Sequence, residues 1–186
     1  MIPAGYLYKK VATAPDWVKV PGSEIYSVSG CISEEFADYI QYWRHNGYWL
    51  FDSPEIIEAI AAENAIDLSA LTLFYYEVFE QQYDADARRW EPFEPEPSFE
   101  TRVQPPAAAR LEGYDVVTFS VRTSPECSPL SCNALAERVS VNRKCLLDSF
   151  ELAESSLERG LFDDSEPGPF RIFAVHTVLA VPGGSA

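Results

Sequence analysis

Apolar residues recur along this chain at two spacings, and the switch between them predicts where helices and strands fall. Phe36, Tyr39, Ile40 and Trp43 lie three and four residues apart, which puts them on one face of a helix. Ser33 precedes that face as a cap, Glu34 and Glu35 sit in the first turn where the helix dipole favours anions, and Asn46-Gly47 ends it. Ile56, Ile57, Ile60 and Ala61 form a second buried stripe, opened by Asp52-Ser53-Pro54-Glu55. Ser53 is placed to cap and Pro54 suits the first turn, so a helix is expected over Pro54–Ala65. Ser128-Pro129 repeats this start and predicts a helix reaching Arg138. Leu146, Phe150, Ala153 and Leu157 mark the buried face of a further helix, over Arg143–Arg159, which Gly160 terminates.

The strand signals are of two kinds. Leu71–Phe79 is apolar at successive positions, the pattern of a strand buried on both faces and hence central in a sheet. Tyr114–Arg122 alternates, with Val117, Phe119 and Val121 toward the core and Thr118, Ser120 and Arg122 on the other side. Ile25–Gly30 and Tyr48–Phe51 read as short strands, and Phe170–Val181 as a long closing strand. Residues 1–22, punctuated by Pro3, Pro15, Pro21 and Gly22, read as irregular. From 84 to 109 prolines alternate with glutamates, and Trp90, Phe93 and Phe99 suggest an excursion that packs as an edge hairpin. No internal repeat or heptad run is read, and strands and helices do not alternate regularly. The expectation is one α+β domain over residues 1–186, with a largely antiparallel sheet and the helices packed on it.

Charge narrows the function classes. The 186 residues carry 29 acids against 14 bases, a net charge of −15. Such a field repels phosphate backbones and anionic membranes, so neither nucleic acid nor a membrane is the expected partner. It steers basic proteins instead. Met1-Ile2-Pro3-Ala4-Gly5-Tyr6 lacks the basic-then-apolar pattern of an export signal. The expected location is therefore the cytoplasm, with Cys31, Cys127, Cys132 and Cys145 reduced.

Two site chemistries follow. Glu126-Cys127-Ser128-Pro129-Leu130-Ser131-Cys132-Asn133 crowds two thiols and two hydroxyls at a loop-to-helix junction. Cys127 or Cys132 is a candidate nucleophile there, with His45 or His176 as base and Asp52 or Asp115 orienting it. The plainer alternative makes Ser128 an ordinary cap and both cysteines small buried hydrophobes. A tetrahedral metal set from Cys127, Cys132 and Cys145 with His176 or Cys31 fits the spacing less well, because no Cys-x-x-Cys pair occurs. No cofactor is expected. The second chemistry is recognition. Trp43, Tyr48, Trp49 and Asp52, with Trp90, Glu91, Phe93 and Glu94, make aromatic and acidic stretches suited to a basic partner, and Arg122 is placed to take a carboxylate or a phosphate. The leading expectation is an acidic protein-binding module, of the inhibitor or immunity type, that masks a basic partner. A small cysteine-dependent acyl-transfer or hydrolase enzyme is the alternative.

Overall fold

A computed structural model describes residues 1–13, 24–29, 46, 48, 50–93, 102–119 and 127–180. The expected helix over 33–46, apart from Asn46, lies outside these residues, as do Cys31, Trp43, His45, Trp49, Glu94, Phe99, Val121 and Arg122. The fold is α+β, and every strand pairing among the described residues is antiparallel.

Six strands form the main sheet: β1 (Ile2–Lys9), β4 (Thr72–Val78), β5 (Gln81–Asp84), β6 (Arg89–Pro92), β7 (Ala109–Thr118) and β8 (Phe170–Val178). A small ribbon joins β2 (Ala12–Thr13) to β3 (Glu24–Ile25). β8 is the hub. β7 lies along one side of it, while β4 and then β5 follow its other side in one bent line, from Val78 opposite Phe173 to Tyr83 opposite Phe170. β1 flanks β4 and β6 flanks β5. The hairpin β5–β6 lies at an edge of the sheet and overlaps only the start of the expected 84–109 excursion, of which residues 94–101 lie outside the described residues.

Partners directly opposite in a ladder share a face, which sorts the sheet into two sides. Tyr6, Tyr8, Tyr75, Glu77, Tyr114, Val116, Ile172, Ala174 and His176 lie on one. Helix α1 (Pro54–Asn64) and helix α3 (Phe150–Glu158) cover this side: Tyr8 donates its hydroxyl to Glu58 at 3.2 Å, and Phe150 packs on Phe79 and Tyr114. The opposite side carries Lys9, Phe74, Tyr76, Asp115, Arg171, Phe173 and Val175, roofed by Val28, Tyr48, Leu50 and Leu146.

Several expectations need correction. Residues 2–9 are not irregular but form β1; Pro3 and Gly5, read as breakers, flank a register shift where the bulge accommodates them. Both sides of Val116–Phe119 are buried, so Thr118 faces protein and not solvent. Of Tyr48–Phe51, the described residues show a single bridge, between Phe51 and Tyr6. Among the described residues, the strand expected over Ile25–Gly30 pairs at Ile25, with Glu24 before it. The helix from Pro129 stops at Cys132 (α2), and Ala134 turns left-handed before a 3-10 turn over Leu135–Glu137. Helix α3 starts at Phe150, not at residue 143, because Cys145 takes a positive φ and Leu147 bridges to Tyr114. Ile56, expected in the buried stripe, is exposed.

The reading of no internal repeat also fails, for the chain builds one unit twice. Gly5 (φ 142°) and Gly113 (φ 144°) each sit at a bulge in an outer strand. A Cβ on Gly5 would lie 2.6 Å from Leu50 Cβ and 2.8 Å from the Phe51 carbonyl; on Gly113 it would lie 2.8 Å from both Leu146 Cβ and the Leu147 carbonyl. Asn46 Nδ2 donates to the Ala4 carbonyl at 2.5 Å, and Asn142 Nδ2 to that of Glu112 at 2.9 Å. Tyr6 bridges Phe51 as Tyr114 bridges Leu147. A helix follows each bridge, then an inner strand. Tyr76 and Val175, which face the two glycines, are themselves partners, so a local twofold axis passes between β4 and β8. The shared pattern is short: Asn46 with Leu50, Asp52, Ser53, Glu55 and Glu58 matches Asn142 with Leu146, Asp148, Ser149, Glu151 and Glu154.

Candidate functional site

The roofed side of the sheet holds a buried polar cluster. Asp115 projects from β7 and is 1% exposed. Its Oδ2 accepts from Ser128 Oγ at 2.6 Å and from the Val28 amide at 2.8 Å, while Oδ1 has no hydrogen-bond partner. Burial is the main cause that pushes this carboxyl up to about 7; the Ser128 and Val28 hydrogen bonds oppose it. Lys9, buried on β1, donates to the carbonyls of Ser27 (2.6 Å), Ser29 (2.7 Å) and Val28 (3.4 Å), so its ammonium folds residues 27–29 around itself. Ser29 Oγ lies 3.8 Å from Cys132 Sγ. Burial pushes the Cys145 thiol up to about 12, which removes it as a thiolate at neutral pH.

On the same side, Arg171 is fully buried. Its guanidinium stacks 3.7 Å from the Phe93 ring centroid, with Tyr48 at 5.1 Å and Phe119 at 5.6 Å. Nη2 donates to the Phe79 carbonyl, whereas Nε and Nη1 have no hydrogen-bond partner. Burial lowers this guanidinium to about 10.

The helical side carries a different group. His176 Nε2 lies 3.3 Å from Glu77 Oε2 without hydrogen-bond alignment, and the Tyr75 hydroxyl donates to Glu77 Oε1 at 3.3 Å. The Tyr75 and His176 rings are 5.4 Å apart. Desolvation lowers the imidazole, against the opposing pull of Glu77, and so favours its neutral form. Outward from this floor, α1 presents Glu55, Glu58 and Glu63, and α3 presents Glu151, Glu154 and Glu158. Neither helix contains a lysine or arginine.

The residues expected in a site are thus dispersed. Cys127 packs at the Thr118 end of β7, and Thr118 faces Phe170. His176 is six residues further along β8, about 20 Å away at the usual strand rise. Cys132 lies by Ser29, on the side of the sheet opposite His176. No described imidazole stands beside either thiol, and His45 is outside the described residues. Among the described residues no three metal-ligating side chains gather. Of the recognition set, Tyr48 and Phe93 come together, 6.0 Å apart, but around Arg171 in the interior. Trp90 packs on Phe79 and Tyr83 and donates to Glu158 at 3.1 Å; Glu91 pairs with Arg89; Asp52 accepts from Asn46 at 3.0 Å. Lys9, Glu77 and Arg171 were missed as site residues, and Asp115 was read only as an orienting group. The available signal was a charge set directly against apolar neighbours: Asp115 beside Val116-Val117, and Arg171 between Phe170 and Ile172.

No protein-family model, curated protein or solved structure matches the chain. Among the described residues no helix is long and apolar enough to cross a membrane.

Proposed function

We propose that this chain is an acidic protein-binding module that masks a basic surface of a partner, in the manner of an inhibitor or immunity protein. One observation supports this most: six glutamates on two helices stand on one side of the sheet, with no basic residue in either helix. Glu55 and Glu151 have a local role too, since each lies in a first turn, and hydrogen bonds from the cap serine and from its own amide depress its carboxyl. Glu58, Glu63, Glu154 and Glu158 lie beyond the first turn, so the dipole does not account for them. Exposed Ile56 and the Trp90 edge beside Glu158 supply apolar contact at the same face. Charge of this kind acts chiefly on the encounter rate and on the choice of partner.

The test is recovery of proteins bound to the tagged chain in its own cell, followed by association kinetics with the recovered partner. The expected partner is basic, and its association rate falls severalfold as salt rises and the Debye length shrinks to about 8 Å. A partner without a basic surface, or a rate indifferent to salt, would refute the reading.

A further inference from the structure

We infer that Asp115 is a proton-controlled clasp, which holds the segments 24–29 and 127–132 on the sheet when protonated and loosens them when ionised. Three parts of the chain meet at this carboxyl: β7 supplies it, Val28 donates a backbone amide, and Ser128 donates its hydroxyl while also accepting from the Ser29 amide at 3.3 Å. One side-chain group therefore ties two loops that are distant in sequence. Its second oxygen is bare. A carboxylate in so buried a place, with half of its acceptors unused, favours the neutral acid.

The fold contains its own control. The position related to Asp115 by the internal twofold is Leu7, buried and apolar. The architecture therefore accepts a hydrocarbon there, and a buried acid is an addition made in one half only. The titratable neighbours among the described residues act on Asp115 in both directions. Tyr76 of β4 is fully buried, and burial with the nearby Asp115 charge pushes its hydroxyl far up, so it stays neutral. Cys145 stays a thiol, and Cys132 of α2 disfavours ionised Asp115. Lys9 of β1 favours ionisation, and its ammonium also donates to the carbonyls of residues 27–29. Ionisation across neutrality then places a charge in the buried junction of two loops, where desolvation outweighs the opposing pull of Lys9 and of the two donated hydrogen bonds.

The direct test is hydrogen exchange of the intact chain at pH 5.5 and pH 8, corrected for intrinsic rates. Protection of 24–29 and 127–132 should fall at least fivefold more than that of β8 as pH rises. Asp115→Asn, which keeps an acceptor oxygen, should remove that difference. Should this variant fail to fold, carbon-detected titration of the wild-type carboxyl decides alone: ionisation above 6 supports the clasp. Ionisation below 5, equal protection at both pH values, or an unchanged pH response in Asp115→Asn would overturn it.

Discussion

The two halves of the sheet share a plan and differ in what they bury. Ala4, Leu7 and Thr72 of the first half occupy positions where the second half has Glu112, Asp115 and Arg171. The exception runs the other way: Lys9 corresponds to Val117. Yet the backbone device is the same in both, a left-handed glycine seated on a leucine and held by an asparagine that closes the loop. Geometry has been kept where a Cβ or a lost amide would break it, and charge has entered where only volume matters. The lesson is that each of these buried charges stands in one half without a charged counterpart in the other, so none is a requirement of the shared plan.

The glycines test the equivalence most severely. Gly5→Ala and Gly113→Ala each combine a disfavoured φ with a carbonyl at 2.8 Å from the new methyl. Each should cost about 3–5 kcal/mol in urea unfolding, and by similar amounts. If one were tolerated within about 1 kcal/mol, the two bulges would not be equivalent.

Asp115 should separate the halves by pH. Its carboxyl ionises at about 7 in the folded chain against about 3.9 unfolded. A raised acid stabilises the fold fully below the unfolded value and loses that stability as pH rises through the folded one. Stability should therefore fall by on the order of 3–4 kcal/mol between pH 4 and pH 7 on account of this group. Asp115→Asn should flatten that part of the profile in denaturant titrations at stepped pH. A profile that keeps the slope assigns it to another group.

The two buried cations should respond unequally. Lys9 satisfies three carbonyls, and Lys9→Met strands them, at roughly 2–4 kcal/mol. Arg171 bonds one carbonyl, has Tyr48 as a further polar partner and leaves Nε and Nη1 bare, so Arg171→Met, with a thioether against Phe93, should change stability by less than about 1.5 kcal/mol. Equal losses would mean that the aromatic cage holds the guanidinium more strongly than its polar contacts indicate. The smallest contrast lies at the helix caps. Ser149 Oγ accepts from the Leu152 amide at 3.2 Å, whereas Ser53 makes no such bond to its helix. Ser149→Ala should cost about 1 kcal/mol and Ser53→Ala less than about 0.5 kcal/mol by thermal unfolding.

Much of this architecture was legible from local pattern. Helix α1 and strands β4 and β8 announced themselves because apolar runs and a Ser-Pro helix start are local signals, whereas the alternation over Tyr114–Arg122 caught only the second half of β7, which begins at Ala109. The start of β1 was hidden by Pro3 and Gly5, residues that break a strand everywhere except at a bulge. The start of α3 was hidden because Cys145 and Leu146 fit a helical period, although the chain there serves a bridge to Tyr114. The duplication escaped because it retains only the residues that its bulge and helix start demand. The site was harder still. His176, Cys127 and Cys132 drew notice by residue type, but the length of β8 separates His176 from Cys127 and the sheet itself separates it from Cys132, and only tertiary pairing reveals that. The twin motif Asn-x-x-x-Leu followed by Asp-Ser was the signal that could have been used.

The acidic helical side is where the two halves agree in charge, since Glu55 and Glu58 correspond to Glu151 and Glu154. The most direct measurement compares two sets of Glu→Gln and Asp→Asn changes that remove equal charge. One set is Glu55, Glu58, Glu63, Glu151, Glu154 and Glu158; the other is Glu24, Asp67, Asp86, Glu137, Asp163 and Asp164, exposed outside these two helices. Association rates with the co-purified partner at low salt should fall tenfold or more for the helical set and less than threefold for the other. Equal losses in the two sets, or no loss in the helical one, would contradict the proposal that this face receives the partner.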